Sequence, residues 1–276
     1  MSKGLLDPKV DFVFKNIFGS PNHPEILISF LNATLKPKKK IVNVDIKKTD
    51  IEKQYIEDKY SRLDVKATTS NDEIINIEIQ LKNENNMVKR SLYYLSKMYE
   101  EQLNEKEDYS KLVRTVCINI LNFKYLKTDN FHTGYRFKEI ESNEELTDIM
   151  EVHFIEIPKL QDSSDEKDML VAWTEFLKDP ESEKVRGLEL SIEEIRQAKD
   201  ELIRMSNDST QRELYDMRAN SLRDKMSELN AAERKGIEKG REEEKIKIAR
   251  NMKLSGIDTN TIAKITNLSA DEIDKL

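Results

Sequence analysis

The sequence predicts an α/β domain followed by an α-helical C-terminal region, and three observations lead there. Segments rich in β-branched residues at 41–46, 63–69, 74–81, 112–121 and 150–157 all fall in the first 160 residues. Apolar residues at helical spacing precede and separate them, and beyond Pro158 the pattern is wholly helical. Charged residues make up 36% of the chain, with only 7 Gly and 6 Pro. That composition favours many solvated helices and a small sheet. With 276 residues and 37% hydrophobic content, there is enough apolar surface for a packed core. Three segments are expected: 1–160 as the α/β domain, 161–230 as a helical extension, and 231–276 as a charged helix with a small helical tail.

Each element has its own signal. Val10, Phe14, Ile17 and Phe18 recur at helical spacing over 11–18, and Gly19-Ser20-Pro21-Asn22 stops the helix. A second helix is expected over 24–35, then a strand over 41–46. The strands 63–69 and 74–81 are separated by Ser70-Asn71-Asp72-Glu73, which is turn chemistry, so they should pair as a hairpin. Leu92, Leu95, Met98, Tyr99 and Leu103 trace one face of a helix over 87–104. Strands follow at 112–121 and 150–157. Helices are expected at about 166–178, 191–205 and 208–230, then a charge-dense helix over 231–247. The last 30 residues show short helices around Gly256 and Asn267, with the spacing of a helix-turn-helix unit.

Charge is unevenly spread. Residues 1–126 hold 21 Lys+Arg against 18 Asp+Glu, whereas 127–276 hold 25 against 35, so the net charge of −7 belongs to the second half. The first half is permissive for phosphate contact without demonstrating it. No apolar run approaches the roughly 20 residues of a membrane span, and Met1 to Pro8 lacks a basic-then-apolar secretion signal. A soluble cytoplasmic protein is expected, with no membrane partner. The single cysteine, Cys117, sits in the apolar run Val116-Cys117-Ile118 and should pack as a small hydrophobe.

Chemistry concentrates in the hairpin. Within 74–81, Ile75, Ile77, Ile79 and Leu81 point to one face, and Asn76, Glu78 and Gln80 to the other. A short hairpin brings Asp64 beside Glu78 at the edge of the sheet. Mg²⁺ takes hard oxygen ligands and keeps several waters, so Asp64, Glu78 and the backbone carbonyl of Ile79 make a plausible site. Gln80 is placed to orient a water or a phosphate oxygen. Sheet surfaces also alternate in this way without function, and spacing alone leaves that reading open.

The order of Asp64, a hairpin, Glu78-Ile79-Gln80 and a helix with Arg90-Ser91-Leu92-Tyr93-Tyr94 resembles the Rpn family of recombination-promoting nucleases and putative transposases, within the PD-(D/E)xK superfamily. The opening Asp11-Phe12-Val13-Phe14-Lys15-Asn16-Ile17-Phe18-Gly19, the run Val152 to Pro158, and the charged tail with Gly236, Gly240 and Ile262 to Ile265 agree with it, so the resemblance covers nearly the whole chain. It implies a restriction-endonuclease-like mixed sheet flanked by helices, Mg²⁺ (or Mn²⁺ or Ca²⁺) as cofactor, and hydrolysis of DNA phosphodiesters in recombination or mobile-element chemistry. Asp64 and Glu78 would ligate the metal. Gln80 would stand where the superfamily usually has lysine, offering dipolar hydrogen bonds in place of a positive charge. Lys66 or Lys82 could supply the missing charge. Asp11 is either an additional acidic group or a residue capping the first helix.

Lys15, Arg90 and Gln102 are weaker candidates for DNA contact, since solvated or core roles are commoner at such positions. His23, His132 and His153 show no zinc-ligand spacing. In the tail, Asp271, Glu272 and Asp274 disfavour phosphate contact by the last helix. Self-association through the helical C-terminal region, giving a homo-oligomer, is the preferred expectation there.

Overall fold

The computed structural model describes residues 4–47, 65–165 and 167–276. The described chain divides into two compact units, residues 1–218 and 219–276.

The first unit is built on a six-stranded mixed sheet of order β1-β2-β3-β4-β6-β5, from β1 (Val44–Lys47), β2 (Val65–Thr69), β3 (Ile74–Gln80), β4 (Thr115–Leu121), β5 (His132–Lys138) and β6 (Glu145–Glu156). β2 and β3 form the expected antiparallel hairpin, with Val65 opposite Ile77. β3, β4 and β6 run parallel and occupy inner positions. Asp72 takes a left-handed φ of 60° in the hairpin turn, a conformation that Asp and Asn tolerate better than most residues.

Two layers of helix cover the sheet. On one face Ile75, Ile77, Ile79, Val116, Ile118, Ile120 and Ile155 join a large core with side chains of α1 (Asp11–Phe18), α2 (Pro24–Leu35), α4 (Met169–Lys178), α5 (Glu183–Glu189) and α6 (Glu193–Asn207). Trp173 is fully buried there, and its indole N–H donates to Ser29 Oγ at 3.1 Å. On the other face a smaller core of Met87, Leu95, Cys117, Leu121, Val152 and Phe154 sits beneath α3 (Met87–Glu100). Because both faces are covered, the inner strands lose the half-solvated alternation of an open sheet.

Several expectations need correction. Residue 160 is not a boundary, because Leu170, Ala172, Trp173, Phe176, Ile195, Ala198 and Leu202 complete the same core as the sheet. The second division falls at 218 rather than at 230, within α7 (Ser209–Leu254). No strand is expected over the residues of β5, and β6 starts at Glu145 rather than near 150. The second unit ends in α8 (Thr259–Thr266) and α9 (Ala270–Asp274), held by Ala249, Ile262, Leu268 and Ile273. Each short helix is capped: Asp258 accepts from Thr261 N, and Ser269 forms a capping box with Glu272.

Candidate active site

Glu78 lies on an inner strand and its residue is 1% exposed, not at a sheet edge open to water. The parallel register sets it beside Asn119 of β4, and strand alternation turns it toward α3. Its two carboxylate oxygens have different donors. Asn76 Nδ2 is 3.4 Å from Oε1, and Arg90 Nε donates to Oε2 at 3.2 Å from α3. Burial raises the Glu78 pKa above the ordinary carboxylate value, while the charge and hydrogen bond of Arg90 and the Asn76 amide oppose that rise. For Arg90, burial acts to lower the pKa, yet the charge of Glu78, with help from Tyr94 and Glu84, leaves it raised overall. The guanidinium also lies 5.3 Å from the Tyr94 ring centroid, a cation–π contact.

The cradle around this pair is polar and closed. Ser91 Oγ is 2.9 Å from Asn119 Oδ1 and 2.8 Å from the Met87 carbonyl, and Asn119 Nδ2 donates to the His153 carbonyl at 3.1 Å. Cys117 lies in the same layer, within 4.0 Å of Asn76 Nδ2. Burial, then the nearby Glu78 charge, pushes its thiol up to about 12, so at neutral pH it packs as a protonated side chain. The Asn76 side chain is fully buried, and its Oδ1 has no hydrogen-bond partner among the described residues. An unsatisfied buried amide oxygen is costly and calls for an explanation. The amide turns its nitrogen to Glu78, while the Glu78 carboxylate is itself a hard oxygen donor of the type that Mg²⁺ selects.

Among the described residues, no group of three or more His, Cys, Asp or Glu side chains is placed to hold a metal ion. Asp64, the expected second carboxylate, lies outside the described residues, although it adjoins Val65, whose register partner Ile77 adjoins Glu78. The oxygen donors present therefore fit a hard divalent cation in chemical type.

The remaining expected residues are spread more widely. Gln80, half-buried at the end of β3, shares the Glu78 face, and its carbonyl accepts from Asn122 N at 2.9 Å. Ile79 lies between them with its side chain in the opposite core. Lys66 is on the Glu78 face, with Nζ 3.9 Å from Glu101. Lys82 is half-buried just past β3. Asp11 opens α1, a helix packed against the opposite face of the sheet, and pairs with Arg218 at 3.1 Å. It is not the N-cap of α1, since that position is Val10, and the structure does not bring it to Glu78. Lys15 lies on the same helix. Gln102 plays a structural part, in which Nε2 donates to Thr115 Oγ1 at 2.7 Å and to the Val113 carbonyl at 3.3 Å, while Oε1 accepts from Val113 N at 2.7 Å. That side chain staples the end of α3 to the start of β4 and has no donor left over for phosphate.

Asn76, Ser91 and Asn119 surround Glu78 in the structure, and the sequence alone does not single them out as functional. Asn76 has a usable signal, because alternation places it two residues from Glu78 on one face. Asn119 is legible only once the parallel register of β3 and β4 is known.

A family model described as PD-(D/E)XK nuclease family transposase matches residues 8–232, and one described as the Rpn/YhgA-like nuclease family C-terminal HTH domain matches residues 242–276. No curated protein and no solved structure matches the chain. Among the described residues no helix is long and apolar enough to cross a membrane. The mixed sheet between helices, the Glu78-Ile79-Gln80 strand and a match over residues 8–232 agree: the chain belongs to the PD-(D/E)XK nuclease family transposases.

Proposed function

We propose that this protein is a divalent-metal-dependent DNA endonuclease that hydrolyses phosphodiester bonds, with Asp64 and Glu78 as the metal carboxylates. The observation that carries the reading is the Glu78 carboxylate, held on an inner strand in a buried cradle of amides and a guanidinium. A surface carboxylate with no function would cost less left in water. The Ile79 carbonyl is the proposed third oxygen donor. When bound, Mg²⁺ or Mn²⁺ supplies a water of lowered pKa and positive charge for the scissile phosphate. Gln80, two residues along the same face, orients the attacking water or a phosphate oxygen through its amide. Lys66, Lys82 and Arg90 are the nearby cations for the phosphate, and Arg90 stands closest to Glu78. DNA is the proposed macromolecular partner, and a link to recombination or mobile elements follows from the family's description.

The test is nicking of supercoiled plasmid by the purified full chain with Mg²⁺, Mn²⁺ or Ca²⁺, using EDTA as the control. Asp64→Ala and Glu78→Ala should each abolish cutting, and Gln80→Ala should slow it by about 10²-fold. Equal cutting by the two carboxylate variants would sink the assignment.

A second reading has its own support. Glu78 is sealed and paired, and Gln80 replaces the usual lysine, as in a catalytically decayed nuclease fold that serves as a binding or regulatory module. Metal-independent DNA binding with no cleavage by the wild type would favour it. For the tail, the HTH description supports DNA contact, while Asp271, Glu272 and Asp274 on α9 oppose it. We retain self-association through α7 and the tail as the proposal, tested by solution mass at increasing protein concentration.

A further inference from the structure

Glu78 already has a cation. Both of its oxygens are engaged, Oε1 by Asn76 and Oε2 by Arg90. Of the ion pair, the Glu78 side chain is 1% exposed and the Arg90 side chain 25%, so contact with water is on the guanidinium side. A metal ion ligated to the same carboxylate, at roughly 2.1 Å, would sit within a few ångströms of the guanidinium. Two cations that close in a medium of reduced dielectric repel strongly. Arg90 has somewhere else to go: its guanidinium is already over the Tyr94 ring at 5.3 Å, and Glu84 acts on it electrostatically. A long, flexible stem lets it leave Oε2 while keeping those attractions.

We propose that Arg90 is a positioning residue that fixes the orientation of the Glu78 carboxylate and must be displaced from Oε2 when a divalent cation binds. This rests on the reading of Glu78 as a metal ligand. The arrangement gives a single buried carboxylate a counter-charge under α3. It also couples loading to recognition, because the guanidinium released from Glu78 is then available to a phosphate, in a site whose strand offers Gln80 in place of a cation.

The test is Mn²⁺ binding by calorimetry to the full chain in mildly alkaline buffer, comparing wild type, Arg90→Gln and Glu78→Gln. Arg90→Gln should bind Mn²⁺ about tenfold more tightly, because the metal no longer breaks a charge-assisted hydrogen bond. Glu78→Gln should lose that binding. Equal or weaker binding by Arg90→Gln, with Glu78→Gln defective, overturns the role of Arg90 and leaves the metal site standing. Unchanged binding by Glu78→Gln overturns the site itself, and the proposal with it. Should Arg90→Gln fail to fold, the wild type gives the same answer by NMR. The Arg90 Nε–H signal, assigned by its loss in Arg90→Lys, should exchange with water about tenfold faster at saturating Mg²⁺. An exchange rate unmoved by Mg²⁺ overturns the displacement.

Discussion

Buried ionisable side chains set the pH behaviour of the first unit. Burial, then the neighbouring His153 and Lys36, pulls the His132 pKa down to about 4, with Asp168 and Glu151 opposing. His132 Nε2 and His153 Nδ1 are 2.9 Å apart, and His153 Nε2 is 2.8 Å from Glu151 Oε1. Beyond them Arg114 binds both Glu151 and Glu73, and Arg136 reaches Glu151 at 3.1 Å. A histidine with a depressed folded pKa takes up a proton on unfolding. Its contribution is fully present above about pH 6.5 and is lost as pH falls toward about 4. Glu151, whose pKa is about 2 against burial because His153 and Arg114 hold its charged form, adds stability that is lost below its ordinary range near 4.5. Denaturation midpoints measured from pH 7 to pH 3 should therefore decline in two stages, and His132→Asn should flatten the earlier one. An unchanged early stage in that variant would assign it elsewhere. Cys117 gives an independent check on the seal over Glu78. With its thiol pushed up to about 12 under α3, it should resist alkylation at neutral pH until denaturant is added, and stoichiometric labelling of the folded protein would show that the layer opens.

At the scale of elements, β5 shows how much a strand can depend on one missing side chain. Gly134 pairs with His153 across the β5–β6 ladder, and a Cβ there would come within 3.0 Å of the imidazole Cε1. Gly134→Ala should crowd the ring against its partner His132 and destabilise the first unit by about 1–3 kcal/mol. The readout is the denaturation midpoint together with the His132 titration, and a variant neutral in both would mean the ring shifts freely. The same strand explains what the sequence conceals. β5 is an edge strand, half-buried at His132 and Thr133 and exposed from Gly134 to Lys138, in which the alternating Thr133, Tyr135 and Phe137 are interrupted by glycine and charged residues. By contrast α1, α2 and β3 are legible, since α1 and α2 carry unbroken helical periodicity between clear stops and β3 alternates Ile with polar residues. What alternation cannot show at β3 is burial. The Asn76 and Glu78 face reads as solvent-facing until α3 is seen to cover it. Neither Arg90 nor Gln102 is assignable from helical spacing alone. One ends on a carboxylate, the other on the backbone of Val113, and both outcomes depend on how α3 crosses the sheet.

The whole molecule combines two units of very different internal support. The first has a sheet covered on both faces, with a large core and a second one beneath α3. The second is held by Ala249, Ile262, Leu268 and Ile273, and much of its part of α7 is exposed and charged. Helical stability in water comes mainly from packing an apolar face, and an exposed polar helix has little of it. The sharp division of core size predicts that unfolding is not a single transition. The chain carries its own reporter, since Trp173, its one tryptophan, lies at the centre of the first unit's core. Its fluorescence therefore follows that unit alone, whereas far-ultraviolet circular dichroism sums the helices of both. In a urea titration, part of the dichroism should be lost before the Trp173 emission moves, and the remainder should fall together with it. Coincident curves would instead mean that residues 219–276 unfold only together with the first unit, and that α7 is stabilised well beyond what its few apolar contacts supply.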